Sequence, residues 1–486
     1  MNNLFNKILV CLFLFLGTAK LFSFPINDIN DWNNFMSEVA TTGGIGRNYT
    51  LMDDVGTPTS TILSTPVPMI TGTFRGSLDG NNKKIYVRIT SAATNVGLFS
   101  ELSGAIFNLI VDGSVTGLVG SQNVGGIAGL VETGSIEYCT NLADVICSTA
   151  VSSVGGIAGR IVNSAFNESI NNGSISGGQY VAGVVGVSMG LATDIKYCKN
   201  AGTIQRLAGM EPLHQSYIAG IVAYCSSPHI YCPVNIGRIL SNNFTLAGGI
   251  AAYLENGVIR YGSNSGIVDG AINFVGGIAG YVGNRSIVED CINTNWVEPL
   301  GTAGAIVGDN NGSVMNCYFD EQMCVVGGVG GGNPGVVTGL QTAAMLGINL
   351  QGSLNVFIWD FENNLYPRPI GNLFVNHPIN LLSAAPIYLQ RGERVDNVMT
   401  NFFVSNGIYL PIYNYPYLWG WFIPTFKSYS FDDYVEIQTP NDARIRIPMG
   451  WDTLAVRFDY PNYGNNGLYP GHNIIFEKIV PIYMTR

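Results

Sequence analysis

The sequence predicts an all-β protein: a parallel β-helix, a solenoid of coils of about 28 residues with an N-terminal helical cap, followed by a β-sandwich. Three observations carry this. First, Val124-Gly125-Gly126-Ile127-Ala128-Gly129 keeps returning, with near-copies starting at Val154, Val181, Ile218, Ala247, Val275 and Ala303 and a looser copy at Val96. The steps between starts are 28, 30, 27, 37, 29, 28 and 28 residues, and self-similarity at such a period is the signature of a stacked-repeat architecture. Second, 61 glycines and only 12% charged residues accompany 47% apolar residues, which suits short strands and many turns rather than a disordered chain. Third, the residues after each signature align in columns whose chemistry repeats.

Residues 1–23 read as a secretory signal peptide, with Lys7 as the positive region, Ile8 to Gly17 as a short apolar run and cleavage after Ser23. That run is too short to span a membrane as a helix. Residues 24–95 are expected to form the N-terminal cap and the first coils. Asn30 or Asp31 is placed to cap a helix in which Trp32, Phe35, Met36 and Val39 share one face, and such a helix would cover the open end of the stack.

Residues 96–320 form the repeat region. Each coil is expected to hold three short strands, the first being the signature and the second a segment such as Ser135–Cys139. An asparagine column follows: Asn141, Asn171, Asn200, Asn235, Asn264 and Asn293. Its amides are placed to stack from coil to coil as a hydrogen-bonded ladder. Two residues later stand Ala143, Gly173, Gly202, Gly237, Gly266 and Asn295, read as a corner needing positive φ. Two further on, Val145, Ile175, Ile204, Ile239, Val268 and Val297 should point inward. A propeller blade needs about 40–45 residues, so the period is too short for one.

Residues 321–372 are the C-terminal cap and exit, with Gly327 to Gly335 read as a plain loop and Thr342 to Leu346 as a short helix. Residues 376–486 change character: glycine thins, aromatics rise, and strands are expected at 386–389, 401–404, 434–438, 443–448, 453–460 and 473–483.

The repeat V-G-G-I-A-G…S-I-x-x-C-x-N-x-G-x-I resembles the bacterial GLUG repeat. The lead-in (Trp32-Asn33-Asn34-Phe35, Phe74 to Asn81, Val96 to Phe99) and the exit (Asn316 to Asp320, Gly339 to Thr342, Trp359 to Phe361, Leu365 to Pro367) are similar to those of GLUG solenoids, so the likeness covers about residues 25–370. Pro233 in the cysteine column and the longer step to Ile218 depart from it. The resemblance implies an exported, cell-surface β-helix of adhesive or unassigned function. Similar repeats also precede the catalytic domain of immunoglobulin A-cleaving metallopeptidases. Residues 376–486 are similar to atypical bacterial immunoglobulin-like domains, through Arg394 to Val398, Val435 to Ile437, Ala443 to Pro448 and Thr453 to Val456, although no Cys…Trp…Cys spacing is present.

Eight cysteines follow the leader. Cys139, Cys198 and Cys291 share one column and read as small core residues, while Cys291 with Cys317, or Cys225 with Cys232, fit a disulfide. A glycosidase needs two carboxylates on one face. Two places before the cysteine column stand Glu137, Asn167, Lys196, Tyr231, Arg260 and Glu289, with no acidic pair in neighbouring coils. The four histidines make neither H-E-x-x-H nor a zinc spacing, and no G-x-S-x-G occurs. No catalytic, metal or cofactor-binding residue is therefore assigned, and the chain is read as a non-enzyme.

Partner binding has better candidates. Tyr413, Tyr415, Tyr417, Trp419 and Trp421 recur at every second position and would line one face of a strand, although Pro411 and Pro416 interrupt it. His214 lies in an apparent insertion, Met210–Ser216, and insertions in repeat proteins map to loops. A net charge of −10 argues against a nucleic-acid partner, which needs a basic footprint. The expectation is a secreted or peripherally surface-associated bacterial protein acting as an adhesin or structural interaction module, with a host or matrix protein or glycan as partner. A carbohydrate-active β-helix enzyme, lyase or glycosidase, and a non-binding spacer are the alternatives.

Overall fold

The chain winds into a parallel β-solenoid of about nine turns. The computed structural model describes residues 23–370 apart from 58–65, 208–214, 242–244, 270–272, 298–300, 322, 325 and 363–364, and beyond them the backbone of seven strands. The expected leader and His214 lie outside the described residues. Among the described residues no helix is long and apolar enough to cross a membrane.

One coil shows the plan. Asn123–Gly125 lies in sheet I, Ala128–Glu132 in sheet II, Ser135–Glu137 in sheet III, and both Thr140–Asn141 and Asp144–Cys147 in sheet IV. The coil thus has five short strands, not three, and the signature is not one strand. Its middle, Gly126-Ile127, is a corner joining two strands. The strand expected over 135–139 stops at Glu137, because Tyr138 turns the chain with φ 55° and Cys139 then drops into the core. Each strand pairs in parallel with the same strand of the next coil, as in Asn123↔Ser153 and Val145↔Ile175. The backbone groups of the corners bond along the stack as well: Ile127 N donates to Ile157 O at 3.0 Å, and Ile157 N to Val184 O at 3.0 Å.

Alternation sends one side chain of each short strand inward. Val145, Ile175, Ile204, Ile239, Val268 and Val297 are fully buried, and with the signature residues they form a single core cluster running from Ile26 to Cys324. The asparagine column is the expected ladder. Nδ2 of Asn141, Asn171, Asn200, Asn235 and Asn264 each donates to Oδ1 of the next asparagine at 2.8 Å, and to the carbonyl two residues ahead. The glycine column has a different cause from the one expected. Gly173, Gly202, Gly237 and Gly266 do not have positive φ. A Cβ there would lie 2.0–2.1 Å from a carbonyl oxygen of the preceding coil, so the corners are too close for a side chain.

The ends are closed differently. Helix α1 (Ile29–Thr42) covers the N-terminal end, with Trp32, Phe35 and Val39 buried. Its cap is Asp28, not Asn30 or Asp31. The Asp28 carboxylate accepts from Asn30 N and Asp31 N at 2.8 and 3.0 Å. Phe35 meets Tyr49 and Phe74 edge-on at 4.6 and 5.5 Å, tying α1 to the first coils. At the other end, residues 329–332, expected as loop, form the last strand of sheet II against 307–310. Helix α2 (Thr342–Met345) and a 3-10 turn (Gly347–Leu350) then pack Met345, Leu350, Trp359 and Tyr366 against Ile292.

Beyond residue 386, strands occur at Ile387–Gln390, Arg394–Val395, Leu418–Phe422, Tyr434–Gln438, Arg444–Pro448, Thr453–Pro461 and Asn473–Thr485, in one sheet of four and one of three. Five of them match expected strands within a few residues. The immunoglobulin-like sandwich rests on side chains that lie outside the described set.

Candidate functional site

The outward columns of the solenoid decide what a partner meets. In sheet I the outward position before each signature reads Asn123, Ser153, Tyr180, Tyr217, Leu246 and Phe274 in register. In sheet II the facing column reads Leu130, Arg160, Val187, Tyr224, Tyr253, Tyr281 and Asp309. Aromatics therefore gather in consecutive coils where the two sheets meet. Tyr180 stacks on Tyr217 at 5.1 Å and 5°, Tyr224 on Tyr253 at 5.1 Å and 9°, and Tyr253 on Tyr281 at 4.8 Å and 15°. Across the corner Tyr217 meets Tyr224 and Tyr253 edge-on at 5.7 and 5.8 Å. All these rings are half-buried. Burial pushes the Tyr217 phenol up to about 12 and also raises Tyr180, Tyr224 and Tyr253, the last helped by the Glu255 carboxylate that its hydroxyl donates to at 3.1 Å. The panel is a neutral, apolar surface edged with hydroxyls.

On sheet III the outward columns are polar. Asp194, His229 and Val258 are register neighbours, as are Lys196, Tyr231 and Arg260. Together with Ile230 they line a shallow groove of about 280 Å³. Lys196 Nζ lies 2.8 Å from Asp194, His229 Nδ1 3.5 Å from the same carboxylate, and Arg260 Nε donates to Glu289 at 2.7 Å. Tyr231 stands edge-on between Tyr197 (5.9 Å) and Tyr261 (5.0 Å). Desolvation, with the Cys232 thiol beside it, pushes its phenol up to about 12. His229 is thus a strand residue of this groove.

The coil that opens at Gly120 carries the full signature, the cysteine and the asparagine, with Ala143 in the glycine column. Residues 120–146 match the GLUG motif. The next five coils stacked on this GLUG repeat reproduce its corner glycine and its asparagine. No curated protein matches the chain. Among solved structures it is similar to one from Bacteroides ovatus described as "a putative immunoglobulin A1 protease", at 17% identity, with 72% of this chain and 93% of that chain covered and a TM-score of 0.40.

The residues expected to bind a partner fall elsewhere. Tyr413, Tyr415 and Tyr417 lie outside the described residues. Trp419 and Trp421 lie in strand Leu418–Phe422, paired with 455–459, but their side chains are outside the described set. Asp79 holds a turn, accepting from Asn81 N at 2.8 Å and from Asn108 Nδ2 at 3.1 Å. The eight described cysteines are free thiols, all buried. Among the described residues no three His, Cys, Asp or Glu side chains gather as a metal site. The aromatic panel went unread although its signal was present: Tyr180-V-A-G-V-V-G, Tyr217-I-A-G-I-V-A-Tyr224, A-G-G-I-A-A-Tyr253 and Phe274-V-G-G-I-A-G-Tyr281 bracket the signature in successive coils.

Proposed function

We propose that this chain is an exported bacterial surface protein that acts as an adhesin or structural interaction module, and that the aromatic panel of sheets I and II is where it holds a protein partner. The observation that carries this is the confinement of the rings. The same outward columns hold Asn123, Ser153 and Arg160 in the earlier coils, so a coil closes without an aromatic there. A ladder needed only for stacking would have no reason to stop. The rings lie face to face along the stack, which uses up their faces and leaves edges and hydroxyls. That presentation suits a protein interface, where Tyr is enriched, better than a sugar needing a flat ring face. Export rests on residues 1–23, and Ser23 already pairs with Asn48, so cleavage after it would remove only the first residue of the first strand.

The test is binding of the full chain to immobilised host and matrix proteins, compared with the Tyr217→Ser/Tyr253→Ser double variant. A loss of at least about tenfold, with the melting temperature showing that the variant is folded, is expected, since truncating a central interface aromatic costs about 2 kcal/mol or more. Binding that the double variant retains would make the panel a structural ladder. Absence of any binding would favour a spacer, and reproducible product release from a polysaccharide panel would favour an enzyme.

A further inference from the structure

The groove on sheet III is independent of the aromatic panel. We propose that it is a binding site for a saccharide bearing several carboxylates, with Lys196 and Arg260 each taking one acid group and Tyr231 supporting a sugar ring between them. The chain carries a net charge of −10, yet here three successive coils bring Lys196, His229 and Arg260 to one face against a single lining carboxylate, Asp194. The donors are not used up. Lys196 Nζ has three N–H groups and one carboxylate neighbour, and Arg260 engages Glu289 through Nε, leaving its Nη edge for an anion. Coils rise about 4.8 Å each, so Lys196 and Arg260 stand about 10 Å apart with Tyr231 between them. A ring edged by two cations matches a sugar acid, whose flat C–H face packs on an aromatic while its carboxylate takes charged donors.

An acidic peptide fits less well. An extended peptide gains its affinity from unpaired backbone groups at a sheet edge. The strands of this groove have none to offer: His229 N donates to Thr193 O at 3.0 Å, Val258 N to Pro228 O at 2.9 Å and Tyr197 N to Tyr231 O at 2.8 Å. The groove is a face, and only side chains recognise what lies on it. Its 280 Å³ falls just below the span of small-molecule sites (roughly 300–1,000 Å³), room for a short stretch of sugar rather than a folded partner.

The test uses the full chain and oligogalacturonate, the methyl ester of the same oligomer, and poly-glutamate, followed by calorimetry. Oligogalacturonate is expected to bind at least about tenfold more tightly than its ester, with affinity falling as salt rises. Lys196→Ala/Arg260→Ala should reduce that binding at least about tenfold. Tyr217→Ser/Tyr253→Ser should leave it unchanged, which separates this site from the panel. Both double variants are checked by thermal melting, and Lys196→Gln/Arg260→Gln, which keeps the aliphatic stems, replaces the alanine pair if that pair is unfolded. The proposal is overturned by equal binding of acid and ester, by binding that survives loss of both cations, by equal or tighter binding of poly-glutamate, or by no binding of the uronate at all.

Discussion

The second glycine of each signature and the asparagine of the same coil compete for one volume. A Cβ on Gly126, Gly156 or Gly183 would lie 2.2–2.3 Å from Oδ1 of Asn141, Asn171 or Asn200. Where the asparagine is absent the glycine is too: Val111 holds the column in the first coil, with Leu98 at the corner, and Phe319 holds it in the last, with Ala305. The first glycine lies clear of the asparagine, and in two coils Ala182 and Ala219 occupy its place. Gly183→Ala should therefore destabilise by about 3 kcal/mol or more, as overpacking against the ladder does at the severe end. Asn200→Ala would leave Gly202 O without its side-chain donor and take one of two partners from the Asn171 amide, which keeps Gly173 O, and from Asn235 Oδ1, which keeps Gly237 N. At about 1–3 kcal/mol for a buried group left unpaired, it should cost about 2–3 kcal/mol. Asn293→Ala, at the end of the ladder, should cost clearly less; denaturant unfolding measures all three.

Buried acids make a second prediction at this scale. Burial pushes the Cys139 and Cys198 thiols, and the Tyr217 and Tyr231 phenols, up to about 12. The unfolded chain loses these protons near pH 9 (thiols) and 10 (phenols), while the folded chain keeps them. Their stabilisation is therefore complete below those values and is lost as pH rises towards 12. The melting temperature should fall steeply between about pH 9 and 12. At neutral pH the eight thiols from Cys139 to Cys324 should resist a thiol reagent until the chain unfolds, as mass mapping would show.

At the scale of elements, the two caps and the coil corners divide what a sequence discloses from what it hides. Helix α1 was legible because an i, i+3, i+7 apolar pattern needs only local periodicity, and the choice among Asp28, Asn30 and Asp31 as its cap needed the chain direction as well. The five-strand coil was not legible, since strands of two or three residues are too short for alternation to register. Nor was the corner that ends sheet III. Asn108, Tyr138, Glu168, Tyr197, Cys232, Tyr261, Asp290 and Asn316 hold φ between 46° and 57° there, a region in which only Asn and Asp among these are at home. Tyr138, exposed and without a ring partner among the described contacts, is the one to change: Tyr138→Asn should stabilise by about 0.5–1 kcal/mol in chemical denaturation. The C-terminal cap depends on Asp320, whose Oδ2 accepts from Thr342 Oγ1 and from Tyr366 Oη at 2.5 Å each, all three side chains buried. Tyr366→Phe removes one charge-assisted bond without removing the ring. A loss of about 1.5–3 kcal/mol is expected, and hydrogen exchange should show it first in residues 342–366.

For the whole molecule, stacking means that each coil touches its neighbours and little else. The period disclosed the solenoid and its register, because parallel pairing in register follows once the columns are aligned. It carried less of the surface. Lys196, Tyr231 and Arg260 were visible as a column, but the groove needs His229 and Asp194 from the adjacent column, and that juxtaposition depends on which strand positions face outward. The same nearest-neighbour logic yields a test of the architecture. Removing residues 247–274 joins Leu246 to Val275, one signature start to the next, and takes out a single turn of every sheet. The coils on either side present matching partners: Ile218 would meet Val275, Tyr224 would meet Tyr281, and Asn235 would donate to Asn293 in place of Asn264. The asparagine ladder stays continuous and both caps keep their seats, while Arg238 loses the Asp269 carboxylate. In a one-dimensional stack the loss is one repeat's share of stability, so the shortened chain should fold with a β-rich spectrum and a modestly lower melting temperature. Removing half as many residues, 247–260, should instead place strands of sheet III against those of sheet I, break the asparagine ladder and leave an aggregating chain. If both deletions fold equally well, register between coils is not what holds this solenoid together.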